Sequence, residues 1–148
     1  MKVRNVTFEA VASNESIVKF RRDPKVPFSI SLPFGIMIGK LRPFIDAYFD
    51  EKQKLYEKYC DKDEKGEKII KDGNIYFSGL NRDKLNKDIN TLVNAMVELD
   101  GTMTAKLRID VSKLIDGLSV DDIIALDDVV EFYDGTADKS DKDNCKRK

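Results

Sequence analysis

Histidine is absent from the 148 residues. That absence excludes Ser-His-Asp and Cys-His nucleophilic catalysis, histidine-ligated metal centres and the commonest general base at neutral pH. Cysteine is scarce. Cys60 and Cys145 stand far apart and form no CxxC pair, so zinc and thioredoxin-like chemistry find no ligand set, and two thiols in a lysine-rich chain suit a reducing cytosol. No phosphate cradle of the GxxxxGK or GxGxxG form occurs. Uninterrupted apolar runs are missing as well. The stretch Phe28 to Phe49 is broken by serines, prolines and charges, and the opening MKVRNVTFEA lacks signal-peptide form, so we expect a cytoplasmic protein with no spanning segment and no membrane partner. An excess of one charge is lacking too: 26 basic and 27 acidic residues leave a net charge of −1, which makes no overall case for a polyanion partner.

What is present is one domain's worth of chain, 41% hydrophobic and 36% charged. A chain of this length can bury roughly 68–70% of the surface its unfolded form exposes. The first 26 residues mix weak alternation with polar breaks; a strand near Lys2–Thr7 and either a brief helix or a second strand at Ser16–Phe20 fit them. Phe28, Ile30 and Leu32 alternate with Ser29 and Ser31, a pattern that predicts a half-buried strand ending at Pro33. From Phe34 the spacing turns helical through Ile38, Leu41, Ile45, Tyr48, Leu55 and Tyr59, and Pro43 predicts a short helical piece before it and either a kink or a fresh start after it, with the main helix at about residues 42–60. Asp72-Gly73 predicts a type I′ turn in a small hairpin, and Asn81 is a candidate N-cap for a second helix whose seam is Leu85, Ile89, Leu92, Met96 and Leu99. Thr102 to Val111 alternates without error and predicts a strand, while Ser119 with Asp122 forms a capping pair for a last helix over residues 120–132.

These elements predict an α+β fold: an antiparallel helical hairpin with a β-hairpin at its tip, a small antiparallel sheet from the N-terminal strands and residues 102–111, and a C-terminal helix. Residues 1–134 form the domain, and the polar 135–148 is expected to be a disordered tail.

Three clusters are candidate sites. Asp61, Asp63 and Asp72 stand with Gly66 at positions 1, 3, 12 and 6 of an EF-hand-like loop, but Lys65 occupies a ligand position, so a charged turn is the default and no metal or cofactor is expected. From Asp116 to Asp134 the chain has seven acidic residues and no lysine or arginine. On a helix Asp121, Asp127, Asp128 and Glu131 share an arc of about 120°. A solvated face explains this pattern; docking on a basic protein partner is the functional alternative. Lys19, Arg21, Arg22 and Lys25, set beside Phe20 and Phe28, are the candidates for nucleic-acid contact. Adjacent carboxylates such as Asp121-Asp122 diverge by about 100° on a helix, so paired acid/base chemistry finds no support and a non-enzyme is expected.

Three blocks, LYEKYCDKDEKGEKIIKDGNIYF at 55–77, LNRDKLNKDINTLVNAMVEL at 80–99 and LSVDDIIALDDVVEF at 118–132, resemble in order and spacing a group of small bacteriophage proteins of unknown function from phages of low-GC hosts. Cys60 stands where those proteins usually have glycine, and the first 30 residues are not part of the match. The resemblance implies a virus-encoded α+β protein in the host cytoplasm, with virion association as an alternative, and brings no site residues. The function expected is non-enzymatic protein binding, as an assembly factor or an inhibitor of a host or defence system. Its surface would include the acidic last helix and the hairpin tip at Ile75 and Tyr76. Nucleic-acid binding is the alternative, and the apolar seams make a homo-oligomer reasonable.

Overall fold

A 32-residue helix, α3 (Phe28–Tyr59), is the spine of the computed structural model, which describes residues 1–114 and 117–136. At 1.5 Å per residue it is about 48 Å long. Before it come β1 (Lys2–Arg4), α1 (Asn5–Ser13) and α2 (Glu15–Arg22); after it come β2 (Ile70–Lys71), β3 (Asn74–Ile75), α4 (Gly79–Asn94), β4 (Met96–Glu98), β5 (Leu107–Asp110), a 3-10 turn at Val111–Lys113, α5 (Val120–Leu126) and β6 (Val130–Tyr133). The architecture is α+β, with three two-stranded pairings among the described residues: β1 antiparallel to β4, β2 antiparallel to β3, and β5 parallel to β6.

The expected strand at 28–32 is instead the first turn of α3. Its alternation is real, but Phe28 and Leu32 are also at helical spacing from Ile36, and Ile30 from Phe34, so over five residues periodicity does not separate strand from helix. The helix turns Ile30 inward with Phe34, Met37, Leu41 and Ile45, and leaves Phe28 and Leu32 outside. Pro43 does not start a fresh helix. Neither it nor Pro33 has an N–H to donate, and the carbonyls left without that donor belong to Ser29 and Gly39, both exposed residues on the solvent side of the helix.

The helix expected to run to Leu99 ends at Asn94, because Met96–Glu98 finds a strand partner in β1, with Val3 opposite Val97. Buried Asn5 locks this junction: its N–H donates to the Ala95 carbonyl at 3.0 Å and its Nδ2 to Leu92 at 2.8 Å, satisfying carbonyls at the α4 C-terminus. Leu99, fully buried, then opens a tight turn in which Asp100 and Gly101 both take positive φ. The N-cap of α4 is Ser78, not Asn81. The Asn81 amide donates instead to Asp61. Side-chain contacts fix the direction of α4 against α3: Asp61 meets Ser78 and Asn81, Tyr59 donates to Asp88 at 2.5 Å, and Leu55 lies near Leu92, so the two helices run antiparallel.

Of the strand expected over 102–111, only Leu107–Asp110 enters a ladder, and its partner is neither β1 nor residues 28–32. It pairs in parallel with β6, Leu107 opposite Val130 and Asp110 opposite Tyr133, and α5 is the crossover that a parallel pair requires. The last helix therefore stops at Leu126, and the β-branched and aromatic run Val130–Tyr133 becomes a strand. Ser119 and Asp122 do form the reciprocal capping box. The Asp72-Gly73 turn also forms as expected, with φ of 52° and 77°. Asp116, Cys145 and the tail from 137 onward lie outside the described residues; Gly135 is tied to Asp110 by an N–H···O bond of 2.9 Å.

Four layers of apolar side chains meet in one core: Val3, Phe8 and Val11 from β1 and α1, Ile17 and Phe20 from α2, the inner face of α3, and Leu99, Ile109, Leu126, Val129 and Val130 from the C-terminal third. Phe20 meets Phe34 edge-on at 5.5 Å. Between α1 and α3, Glu9 accepts from the Tyr48 hydroxyl and from Lys52. Burial raises the Tyr48 pKa, and the neighbouring Glu9 carboxylate raises it further.

Candidate functional site

The acidic face expected on the last helix does not exist as a face, because α5 ends before three of its four members. Asp121 lies exposed in the first turn, where it favours the helix dipole. Asp127 is the C-cap and pairs with Lys106 at 3.6 Å. Glu131 is on β6 and pairs with Arg108 at 3.3 Å, across the ladder. Asp128 is spent internally: its carboxylate accepts from the Arg4 backbone N–H, Nε and Nη2 at 2.9, 2.9 and 3.1 Å and from the Thr7 hydroxyl at 3.0 Å. It sits over the start of α1 and holds that helix to the turn before β6. Burial pushes the Asp128 carboxyl up, but the Arg4 and Thr7 hydrogen bonds outweigh it and hold its pKa below the usual carboxylate value.

The other predicted residues are also brought to different places. Ile75 and the half-buried Tyr76 lie in the hairpin beyond the far end of α3, with the Lys71 ammonium 3.8 Å from the centre of the Tyr76 ring, and no hydrogen bond or ion pair among the described residues joins them to α5. Lys19, Arg21 and Arg22 occupy the last turn of α2, a position the helix dipole favours, and Lys19 pairs with Glu15 at 2.7 Å. Lys25 follows in the connecting loop. The three aspartates of the EF-hand-like loop do not converge. Asp61 accepts from Ser78 and Asn81, Asp63 from the N–H groups of Lys65 and Glu67, and Asp72 is consumed by the hairpin turn. We expect millimolar calcium to leave the melting temperature unchanged; a rise of several degrees would restore that loop as a cation site.

The surface that does stand out is the outer face of the first half of α3. Phe28, Leu32 and Ile36, spaced i, i+4 and i+8, are 74%, 46% and 52% exposed. Gly35, Gly39 and Pro43 complete this face, and all three are exposed. From Asp46 onward the same face carries Asp46, Asp50, Gln53 and Glu57, so its apolar character ends within one turn of Pro43. No acidic residue occurs between Asp23 and Asp46, while Lys25, Lys40 and Arg42 flank the stripe, exposed and without ion-pair partners among the described residues.

Beside the stripe runs an open groove of about 480 Å³. One wall is Leu32, Ile36 and Lys40 of α3; the other is the segment entering β5, with Met103, Ala105 and Leu107. Among the side chains that line it the charged ones are Lys40 and Lys106. Two cations on an apolar groove supply binding surface and charge selection, with Asp127 paired to one of them, Lys106.

No protein family, curated protein or solved structure matches this chain. By length and composition α3 is long and apolar enough to cross a membrane, against the expectation drawn from its interruptions, and 33% of its most apolar window is buried inside the fold. A core helix passes the same test, and the buried set Ile30, Phe34, Met37, Ile38 and Leu41 accounts for the inner half of that apolarity. The outer half, Phe28, Leu32 and Ile36, is what sequence reasoning missed, since it assigned Phe28 and Leu32 to the buried side of a strand. Two signals for it were present: apolar residues at 28, 32 and 36, opposite the 34–38–41–45 seam, and the absence of acids from 24 to 45.

Proposed function

We propose that this chain is a small non-enzymatic binding protein that captures a protein partner on the outer face of α3 and the adjoining groove. One observation carries this: three large apolar side chains stand aligned and exposed on one helix, with cations at their edge and no acid among them. Exposed aligned apolar surface rimmed by polar groups is what binding faces present before their partner arrives. The paired α3 and α4, with β2 and β3 at their far end, act in this proposal as a helical hairpin that stiffens the presenting helix. The resemblance to small phage proteins supports a virus-encoded assembly factor, or an inhibitor of a host or defence system, working in the host cytoplasm.

Capture from host lysate on the immobilised wild-type protein, set beside Leu32→Asp and Ile36→Asp variants, tests the proposal. Both positions are about half exposed, so the variants are expected to melt within a few degrees of wild type. Retention of the partner is expected to fall at least about tenfold, the effect of losing one apolar anchor from an interface centre. Equal capture by wild type and both variants would sink the assignment.

A further inference from the structure

The apolar face on α3 is not the only one among the described residues. A second lies on α5, where Val120 and Ile124, spaced i and i+4, are 72% and 61% exposed. Around this second apolar pair the charges are reversed: Asp121 and Asp127 are exposed, and no lysine or arginine occurs from Gly117 to Asp134. Lys106, on the groove wall beside the α3 stripe, pairs with Asp127, the residue that ends α5, so the basic and acidic halves share an edge. The molecule thus carries, side by side, an apolar stripe with a cationic rim and an apolar pair with an anionic rim.

We propose that, in the absence of that partner, the α3 face is occupied by α5 of a second copy of this chain, in a two-fold dimer; this rests on the binding role proposed above for that face. A two-fold axis through the shared edge sets the basic half of each copy on the acidic half of the other, so one contact is made twice. The area is of the right size. The two faces together expose on the order of 400–500 Å² of apolar surface, and two copies burying both contacts reach on the order of 1,000 Å², where specific interfaces begin. Such an interface is modest, so the dimer is expected to be reversible and weakened by salt, because exposed rim charges are screened.

Light scattering after size-exclusion chromatography and sedimentation analysis of the full chain test this at several concentrations. A dimer is expected whose dissociation constant rises at least about tenfold on Ile36→Asp and on Ile124→Asp. The decisive variants are Lys40→Glu and Asp121→Lys. Each alone sets like charges against each other at both contacts and is expected to be monomeric at concentrations where wild type dimerises. Mixed, they pair Glu at 40 with Lys at 121 at one contact and keep the native pair at the other, and dimerisation is expected to return.

A chain monomeric to about millimolar concentration, a dimer indifferent to Ile124→Asp, an assembly larger than two, or a mixture that fails to restore pairing would each overturn the proposal. So would flotation of a monomeric protein with anionic phospholipid vesicles that is lost in Ile36→Asp, which would make the face a membrane contact. If the chain is monomeric yet captures a lysate protein in an Ile36-dependent way, the binding role stands and the self-pairing falls.

Discussion

Truncating Phe34 to alanine is expected to cost about 3–5 kcal/mol of folding stability, the range for deleting a buried aromatic ring and leaving a cavity. Phe34 has no exposed surface and meets Phe20 edge-on, where α2 packs on α3. Phe28→Ala, less than two turns earlier on the same helix, is expected to change stability by no more than about 0.5 kcal/mol, since 74% of Phe28 is already in water. Ile30→Ala should fall between them at about 2–3 kcal/mol. Urea unfolding of the three variants therefore also tests the conformation of residues 28–32. In a half-buried strand Phe28 and Ile30 would share the inner face and cost alike; on a helix they part company. Equal losses at the two positions would contradict α3 as described.

Removing the Asp128 carboxylate is the second large effect expected. Asp128→Ala leaves the Arg4 guanidinium, the Arg4 N–H and the Thr7 hydroxyl without their acceptor at the start of α1. Breaking a fully buried ion pair costs about 3–5 kcal/mol. Here the Arg4 side chain is 43% exposed and water replaces part of what is lost, so we expect about 2–3 kcal/mol. The pH dependence identifies the cause. The folded-state pKa of Asp128 lies below the ordinary value, so the folded carboxyl binds its proton less readily than the unfolded one. Its stabilisation is whole above the unfolded value of about 4 and is lost as pH falls through the folded value. Glu9, held low by Tyr48 and Lys52 against the upward push of its burial, adds a loss of the same sign. Melting temperature measured from pH 6 down to pH 3 should therefore fall more steeply for wild type than for Asp128→Ala. Parallel curves would mean that Asp128 gives no net stabilisation through its charge.

The acidic quartet illustrates why part of the candidate site was not legible. Asp121, Asp127, Asp128 and Glu131 converge only if residues 120–132 are one helix. Whether Val130–Tyr133 is helix or strand depends on β5 lying within hydrogen-bonding reach, and β5 is more than twenty residues away. Once β6 pairs with β5, Glu131 is turned to Arg108, and the bend before it delivers Asp128 to Arg4 at the other end of the chain. The same holds for Met96–Glu98, whose helical spacing with Leu92 is overridden by β1. The apolar stripe was hidden for the converse reason. With apolar residues on both sides of α3, the pattern does not reveal which side the rest of the molecule covers.

By itself the sequence determined what rests on neighbouring residues and on composition: the missing histidine chemistry, the α+β mixture, the helical seam from Phe34 to Tyr59, the Asp72-Gly73 turn and the Ser119–Asp122 cap. Each depends on side-chain spacing or backbone preference within a few positions, and at these positions no distant segment imposed a different conformation. Tertiary structure decided the rest: where α4 and α5 stop, that residues 28–32 join α3, that Asp128 is a clamp between distant segments, and that Phe28, Leu32 and Ile36 face outward. These depend on which surface a segment meets. An unpaired backbone group or an apolar face takes whichever neighbour the folded chain brings to it.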